Sequence, residues 1–398
     1  KAHRGLARML GRQGRLDEAE AVLQKAVAGN QNDAKLWLEL ASLYTGKKDF
    51  ESAENALKEA VRLEPHNADL RITLGNFYAA TGQDQLAEDA YRQAVDAAPD
   101  TPRPQLVLAN FYEVNQRSDD ALALYRQALD KAPDDVQIKL ALARFYFKDR
   151  QLDPAEQNVT EILAAQPKYF PARQLKGEIL LARRQFQPAA ELFTELADEE
   201  AQSGRIQYFK ALAHLGNGEA AQARTAAARA VELSPRSSEA RLLMADFYYR
   251  ERDFAMAAEQ ARQVLERNAS DVRAQLILGN CSLQQRELAA AREHFESVIR
   301  LAPENPVGYE RMGVLSMIEE KNPAAIEYFQ QALQRDAYQM EAFTRLVLAH
   351  SLENDLDGAF GACDAQLDKV KDNPRATAVV QNLKGALYLS QRKPRDAE

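Results

Sequence analysis

The feature that most constrains this chain of 398 residues is an alanine that returns every 34 positions. When a repeat is counted from Ala34, position 20 is alanine in ten consecutive repeats: Ala53, Ala87, Ala121, Ala155, Ala189, Ala223, Ala257, Ala291, Ala325 and Ala359. Position 8 is glycine or alanine in the same repeats until Val347, and position 32 is often proline. A fixed period of this length is the signature of a repeat protein, in which each repeat contacts its neighbours.

The register divides the whole chain, so we expect residues 1–398 to form a single array. The predicted repeats are 1–33, 34–67, 68–101, 102–135, 136–169, 170–203, 204–237, 238–271, 272–305, 306–339, 340–377 and a truncated 378–398. The eleventh repeat contains four extra residues around the sequence DKVKDNPRA, where we expect a loop or a lengthened helix. Gly385, Tyr388 and Ala397 continue the pattern in the last repeat. Because both ends fall inside a repeat, we expect the chain to be a piece of a longer protein.

The spacing inside each repeat predicts two helices, here called A and B. Apolar residues recur three and four positions apart in both halves of the repeat, which is the helical period. Small residues at positions 8 and 20 let helices A and B approach closely, and tyrosines at position 11, such as Tyr78 and Tyr112, fill the wider gap between repeats. Proline at position 32 has no N–H to donate and ends helix B. We therefore predict an all-α fold.

These positions resemble the tetratricopeptide repeat family. One repeat shows the family pattern as Trp37, Leu40, Ala41, Tyr44, Ala53, Leu57, Ala60 and Pro65. The resemblance extends over essentially the whole chain. It implies a right-handed α-α superhelical solenoid of about eleven helix-turn-helix repeats plus a partial one. It also implies a concave groove lined by helix A, chiefly through positions 2, 5, 9 and 12.

Composition and motifs argue against several other classes of function. The net charge of −8 disfavours a nucleic-acid partner, since phosphate binding calls for a basic surplus. No apolar run approaches the roughly 20 residues of a membrane-spanning helix. Cys281 and Cys363 lack metal-binding spacing and are predicted to be buried thiols, and the GNG sequence ending at Gly218 is predicted to be a turn. We find no nucleophile–base pair, and we expect neither enzymatic activity nor a cofactor or metal.

Position 9 is the most informative row of the implied groove. An asparagine side chain donates and accepts hydrogen bonds at once, which suits recognition of a peptide backbone. Arginine and lysine nearby are expected to form a basic spot in an otherwise acidic chain. The alternative is a row of solvated polar residues with no partner. The candidate binding residues of this row and its surroundings are Asn76, Asn110, Arg144, Lys148, Arg103 and Asn280.

Position 12 becomes apolar from the fifth to the tenth repeat. Its residues there are Phe147, Leu181, Leu215, Tyr249, Leu283 and Met317. If this row faces the groove, it forms an exposed apolar stripe larger than a monomer usually carries, and it is a second candidate binding surface. The alternative is that a tighter superhelix buries the row against the neighbouring helix.

Some members of the family hold the acidic C-terminus of a peptide with a carboxylate clamp. The clamp requires lysine or arginine at position 5 of a repeat that has asparagine at position 9. Here Asn76 and Asn110 are accompanied by Ile72 and Leu106. The resemblance therefore does not extend to the clamp, and binding of chaperone tails is not expected.

Our leading hypothesis is a non-enzymatic scaffold whose groove binds an extended segment or a helix of a protein partner. The chain resembles long bacterial arrays that accompany envelope assembly, polysaccharide export or protein sorting. The alternative is the substrate-recognition arm of a larger enzyme, such as a glycosyltransferase. A third hypothesis is self-association through exposed repeat ends. The partner is expected to be a protein or peptide, with no nucleic acid bound and no insertion of this segment into a membrane.

Overall fold

The computed structural model describes residues 2–390, which form 23 α-helices and no β-strand. The chain divides into two compact units, an N-terminal unit over Lys1–Arg183 and a C-terminal unit over Arg184–Glu398. Within each unit, consecutive helices pack as antiparallel hairpins, and each hairpin contacts the next one along the chain. The predicted all-α repeat solenoid is confirmed.

The N-terminal unit contains eleven of these helices, and the odd-numbered ones are the A helices. Their bounds are α1 Ala2–Arg12, α2 Leu16–Gly29, α3 Ala34–Lys47, α4 Phe50–Leu63, α5 Ala68–Ala80, α6 Asp84–Ala97, α7 Pro102–Val114, α8 Ser118–Lys131, α9 Val136–Lys148, α10 Leu152–Ala165 and α11 Phe170–Ala182. One continuous apolar core runs through this unit from Ala41 to Ile179.

The C-terminal unit contains the other twelve helices, again with odd-numbered A helices. Their bounds are α12 Phe186–Glu199, α13 Gly204–Gly216, α14 Ala220–Leu233, α15 Ser238–Arg250, α16 Phe254–Leu265, α17 Val272–Gln284, α18 Leu288–Leu301, α19 Pro306–Ile318, α20 Asn322–Arg335, α21 Met340–Leu352, α22 Leu356–Val370 and α23 Pro374–Ser390. The four extra residues lengthen a helix, because α23 begins at Pro374 and has 17 residues where most A helices have 13. Ala397 lies outside the described residues.

Each A helix from α1 to α21 turns into its B helix through a single residue in the left-handed backbone conformation. This residue always occupies position 15: Gly14, Lys48, Gly82, Gln116, Arg150, Arg184, Gly218, Arg252, Arg286, Glu320 and Asn354. Non-glycine residues adopt this conformation at a cost of roughly 1 kcal/mol. The predicted turn at Gly218, with φ of +82°, is confirmed.

Capping residues and prolines set the other helix ends. Helix α4 ends at Leu63, two residues before Pro65, and α6 ends at Ala97, two before Pro99. The residue before each A helix is frequently an Asp, Asn or Ser whose side chain accepts from the first free N–H groups. Such caps occur at Asp33, Asn67, Asp135, Ser203, Ser237, Asp271 and Asn305. These local signals fix where most of the A helices begin and where several of the B helices end.

The small residues of the repeat lie where helices A and B touch. Alanine at position 20 is fully buried in all ten repeats that carry it from Ala53 to Ala359. Glycine at position 8 lies beneath the aromatic ring at position 24 of the same repeat. A Cβ added to Gly279 would stand 2.4 Å from Cε1 of Phe295, and one added to Gly75 would stand 2.6 Å from Cε1 of Tyr91. In the repeats that have glycine at position 8, a larger side chain would therefore overlap this ring.

Tyrosine at position 11 links one repeat to the preceding one. The Tyr78 hydroxyl donates a 2.9 Å hydrogen bond to Glu54, and the Tyr112 hydroxyl donates one of 2.8 Å to Glu88. Both rings are only 4% exposed, which confirms that these aromatics fill the gap between repeats. The hydrogen bond fixes the relative position of the two repeats in addition to the apolar packing between them.

Both cysteines are buried in the C-terminal unit, as predicted. Cys281 lies in α17 and Cys363 in α22, and both thiols are free. Burial raises the pKa of each to about 11. The thiols are therefore protonated at neutral pH and act as apolar packing groups.

Candidate interaction surfaces

The position-9 row of the N-terminal unit lies on three successive A helices. Helix α5 contacts α7, and α7 contacts α9. These helices present Asn76, Asn110 and Arg144 at the same register position, and all three residues are exposed. The structure therefore brings them together as one polar row, which we call the N-terminal row.

The members of the N-terminal row differ in their free hydrogen-bonding capacity. The Oδ1 atom of Asn76 accepts a 2.8 Å hydrogen bond from the Tyr91 hydroxyl, which orients its amide. Tyr91 is buried, and burial raises the pKa of its phenol. Asn110 and Arg144 form no side-chain hydrogen bond or ion pair with residues 2–390. Their polar groups are thus available to a ligand without breaking an internal contact.

The expected basic spot around Arg144 is smaller than the sequence predicts. Lys148 lies 3.5 Å from the carboxylate of Glu113, and Arg103 lies 2.8 Å from that of Asp69. Both cations are largely exposed, so these ion pairs are screened and contribute little to stability. Their charges are nevertheless offset by acidic neighbours. These pairings could not be predicted from the sequence, because the paired residues are far apart in it. Arg144 is the member of the three that keeps an unpaired charge with respect to the described residues.

Glu113 is held in place from a second side. The Tyr125 hydroxyl donates a 2.5 Å hydrogen bond to Glu113, and burial followed by this contact raises the pKa of Tyr125. A shallow depression of about 170 Å³ lies beside it, lined in part by Ser118 and Phe145. The rim next to Arg144 is therefore mixed in charge.

The position-12 row is not an open apolar surface. In the N-terminal unit, Phe147 and Leu181 are half-buried. In the C-terminal unit, Leu215, Tyr249 and Met317 are also half-buried. The ring of Tyr249, for example, packs edge-on against Phe254 with centroids 5.3 Å apart.

Leu283 and Asn280 correct the sequence-based expectation most clearly. Leu283 is 7% exposed and belongs to an apolar cluster with Phe295 and Met312, so it is part of the core. Asn280 is half-buried, and its Oδ1 atom is buried without a hydrogen-bond partner. Both follow from close packing of α17 with its neighbours. The alternative of burial against adjacent helices is the one that applies to Leu283.

An exposed apolar patch in the C-terminal unit was missed by the sequence reasoning. Ile318 on α19 is 37% exposed, and Leu348 and Leu352 on α21 are 49% and 54% exposed. Leu348 occupies position 9, and the other two occupy position 13. The signal was present, because position 9 changes from Asn280 to apolar residues at Val314 and Leu348.

Comparison with known proteins identifies the repeat. One family model described as tetratricopeptide repeat matches residues 10–59, 44–111 and 115–179, and a second model with the same description matches residues 175–238 and 242–306. The chain belongs to the tetratricopeptide repeat family. Tetratricopeptide repeats typically form non-catalytic scaffolds for protein interaction.

A search of solved structures returns the crystal structure of the APC/C hetero-tetramer Cut9-Hcn1 among its matches. That match is 16% identical, covers 98% of this chain and 90% of the other, and has a TM-score of 0.47. A search of curated proteins finds no significant match.

The described tetratricopeptide repeats contain no cluster of three or more His, Cys, Asp or Glu side chains arranged to hold a metal ion. None of their helices combines the length and the apolar character needed to span a membrane. The geometry that remains is surface geometry: the polar N-terminal row on α5, α7 and α9, and the apolar patch on α19 and α21.

Proposed function

We propose that the protein is an interaction scaffold whose N-terminal row binds an extended peptide segment of a protein partner. The observation that carries this proposal is the pair Asn110 and Arg144, which are exposed, lie on contacting helices and have no side-chain partner among residues 2–390. A peptide backbone offers alternating N–H and C=O groups, and an asparagine side chain pairs with both. An acidic side chain in the same peptide would pair with Arg144.

Asn76 has a different role in this proposal. Its Oδ1 atom already accepts a hydrogen bond from Tyr91, which fixes the orientation of the amide. The two amide N–H groups therefore remain to donate to a peptide carbonyl. Such an oriented donor loses less side-chain entropy on binding than a freely rotating one. Asn76 therefore sets the register of the bound backbone, and Asn110 and Arg144 contribute further contacts.

We propose further that such a scaffold serves in envelope assembly, polysaccharide export or protein sorting, a narrower role that only the resemblance to long bacterial arrays supports. Affinity capture from the native host identifies the partner, and a synthetic peptide from that partner then allows quantitative measurement. The Asn110→Ala/Arg144→Ala variant is expected to bind this peptide about tenfold or more weakly than the wild type, because it loses a charge-assisted contact and an amide contact.

A matched control is available on the B helices of the same unit. Asn55 and Lys25 are exposed, lie on α4 and α2, and form no side-chain hydrogen bond or ion pair with residues 2–390. Asn55→Ala/Lys25→Ala removes the same kinds of group and should leave peptide affinity unchanged. Equal affinity for all three proteins would contradict the proposed site. A large fall in melting temperature of the first variant would instead show that Asn110 and Arg144 are structural.

A further inference from the structure

A cavity in the C-terminal unit lies away from positions 9 and 12 of the A helices. It has a volume of about 640 Å³ and is bounded by α12, α13 and α14. Its lining comes from positions 4, 7 and 11 of α13 and from the B helices: Thr194, Gln207, Lys210, His214, Ala221, Gln222, Thr225, Ala226 and Arg229. Pockets that hold small organic ligands usually measure about 300–1,000 Å³.

The cavity follows from two local departures from the repeat pattern. At position 11, where several repeats have tyrosine, as at Tyr112 and Tyr248, α13 has His214. Position 21 of the preceding repeat, which would receive a tyrosine hydroxyl, is Ala190 on α12. The His214 imidazole turns instead to Glu219, with 2.5 Å between Nδ1 and Oε2. Half of the residues of helix α14 are alanine, and the small side chains of Ala221 and Ala226 leave the space unfilled.

The charges that line the cavity are positive. Lys210 and Arg229 belong to the lining, and no aspartate or glutamate does. Lys210 is half-buried and forms no ion pair or side-chain hydrogen bond with residues 2–390. Arg229 is paired with Glu232 at 2.7 Å, but Glu232 is 67% exposed and outside the lining. In a chain with a net charge of −8, this local excess of cations favours an anion.

The remaining lining combines polar groups with an apolar surface. Gln207 is half-buried, and its side-chain amide has no partner among residues 2–390. The methyl groups of Ala221 and Ala226 and the aliphatic part of Lys210 supply apolar contact. A ligand that satisfies both parts has one anionic end and an apolar body.

We propose that this cavity binds a small amphiphilic carboxylate, with the carboxylate beside Lys210 and Arg229 and the hydrocarbon part against Ala221 and Ala226. Such a ligand can enter the cavity from solvent, because Ala221, Gln222 and Thr225 on its rim are exposed. The Gln207 amide donates a further hydrogen bond to the carboxylate. This site is independent of the N-terminal row.

Isothermal titration of octanoate into the full chain tests the proposal. The wild type should give a saturable heat. Lys210→Met should weaken octanoate binding about tenfold, because it removes a charge-assisted contact and keeps the aliphatic stem. Lys168→Met, an exposed lysine outside the lining, should not change the affinity. Titration of 1-octanol should give much weaker binding, because the cations contribute nothing to a neutral head group.

A second pair of variants tests the apolar part. Ala221→Leu fills the cavity from its exposed rim, while Ala228→Leu adds the same side chain to an exposed position of α14 outside the lining. Octanoate affinity should fall in the first variant and stay unchanged in the second, with both retaining the wild-type helicity. Absence of saturable octanoate binding to the wild type, or equal affinity across all four variants, would overturn the proposal. Equal binding of 1-octanol would overturn the assignment of an anion.

Discussion

The hydroxyl of Tyr112 donates a 2.8 Å hydrogen bond to Glu88, a residue of the preceding repeat that is 9% exposed. Arg92 and Arg117 also contact this carboxylate, each at 2.7 Å. The guanidinium of Arg117 lies 4.1 Å from the centre of the Tyr112 ring. The junction of these two repeats is thus held by a polar network inserted into an apolar interface, and such networks stabilise only when every member is satisfied.

Tyr112→Phe should lower the free energy of unfolding by about 1–2 kcal/mol, because Glu88 loses one of its buried partners. Tyr146→Phe is the matched control. The Tyr146 hydroxyl accepts only a 3.5 Å hydrogen bond from Arg126, so its removal should have a much smaller effect. Urea unfolding followed by circular dichroism measures both variants. Equal losses for the two variants would show that the hydroxyl bond to Glu88 contributes nothing specific.

Glu88 should also make stability depend on pH. Burial raises its pKa, but hydrogen bonds from Tyr112, Arg117 and Arg92 outweigh this, and the pKa lies below its ordinary value of 4.5. The ionised carboxylate therefore stabilises the fold above that value, and this stabilisation is lost as the pH falls through the folded-state pKa. Glu88→Gln should flatten the acid side of the stability profile. Thermal melts between about pH 7 and pH 3 measure this, and an unchanged acid slope would contradict it.

Gly279→Ala should destabilise the C-terminal unit by about 1–3 kcal/mol, because the new methyl group overlaps the Phe295 ring. Gly46→Ala is the control, since Gly46 lies in α3, is exposed and has no heavy atom within 4 Å of an added Cβ. That control should be neutral or stabilising by up to about 1 kcal/mol through helix propensity. Thermal unfolding decides between them, and a neutral Gly279→Ala would show that the ring moves aside freely.

Position 15 should respond to substitution through backbone conformation alone. Gly82 has φ of +73° and no heavy atom near an added Cβ, so Gly82→Ala should cost about 1 kcal/mol without any steric overlap. Arg252→Gly should instead raise the free energy of unfolding, because Arg252 has φ of +63° and is exposed. This gain in stability should be smaller than the loss in Gly82→Ala, since glycine is more flexible in the unfolded chain. Chemical denaturation of both variants checks the signs.

Local rules predicted the helices and their contacts well. Alanine at position 20 and proline at position 32 act within one hairpin, so a single repeat carries all the information about them. Apart from the turn at Gly218, the left-handed residue at position 15 was not predicted, because Lys48, Gln116 and most of its counterparts are not residues typical of this conformation. Their conformation is imposed by the two helices they join.

Exposure within the candidate surfaces was harder to predict than helical structure. Leu283 and Met317 occupy the same register position, yet the first is buried and the second half-buried. The difference depends on how closely neighbouring helices pack, and that depends on side chains from several repeats. The pairing of Lys148 with Glu113 likewise joins residues 35 positions apart and has no local signal.

The contact between Gly279 and Phe295 has a consequence for how such an array is lengthened or recombined. Both residues belong to the same hairpin, so duplication of the gene segment for one repeat copies the whole contact, whichever repeats lie next to it. The bond between Tyr112 and Glu88 is divided between two hairpins, and an exchange of either neighbour separates its halves. Insertion or exchange of whole repeats should therefore be tolerated better at a boundary held by apolar packing than at one held by a hydrogen bond between two repeats.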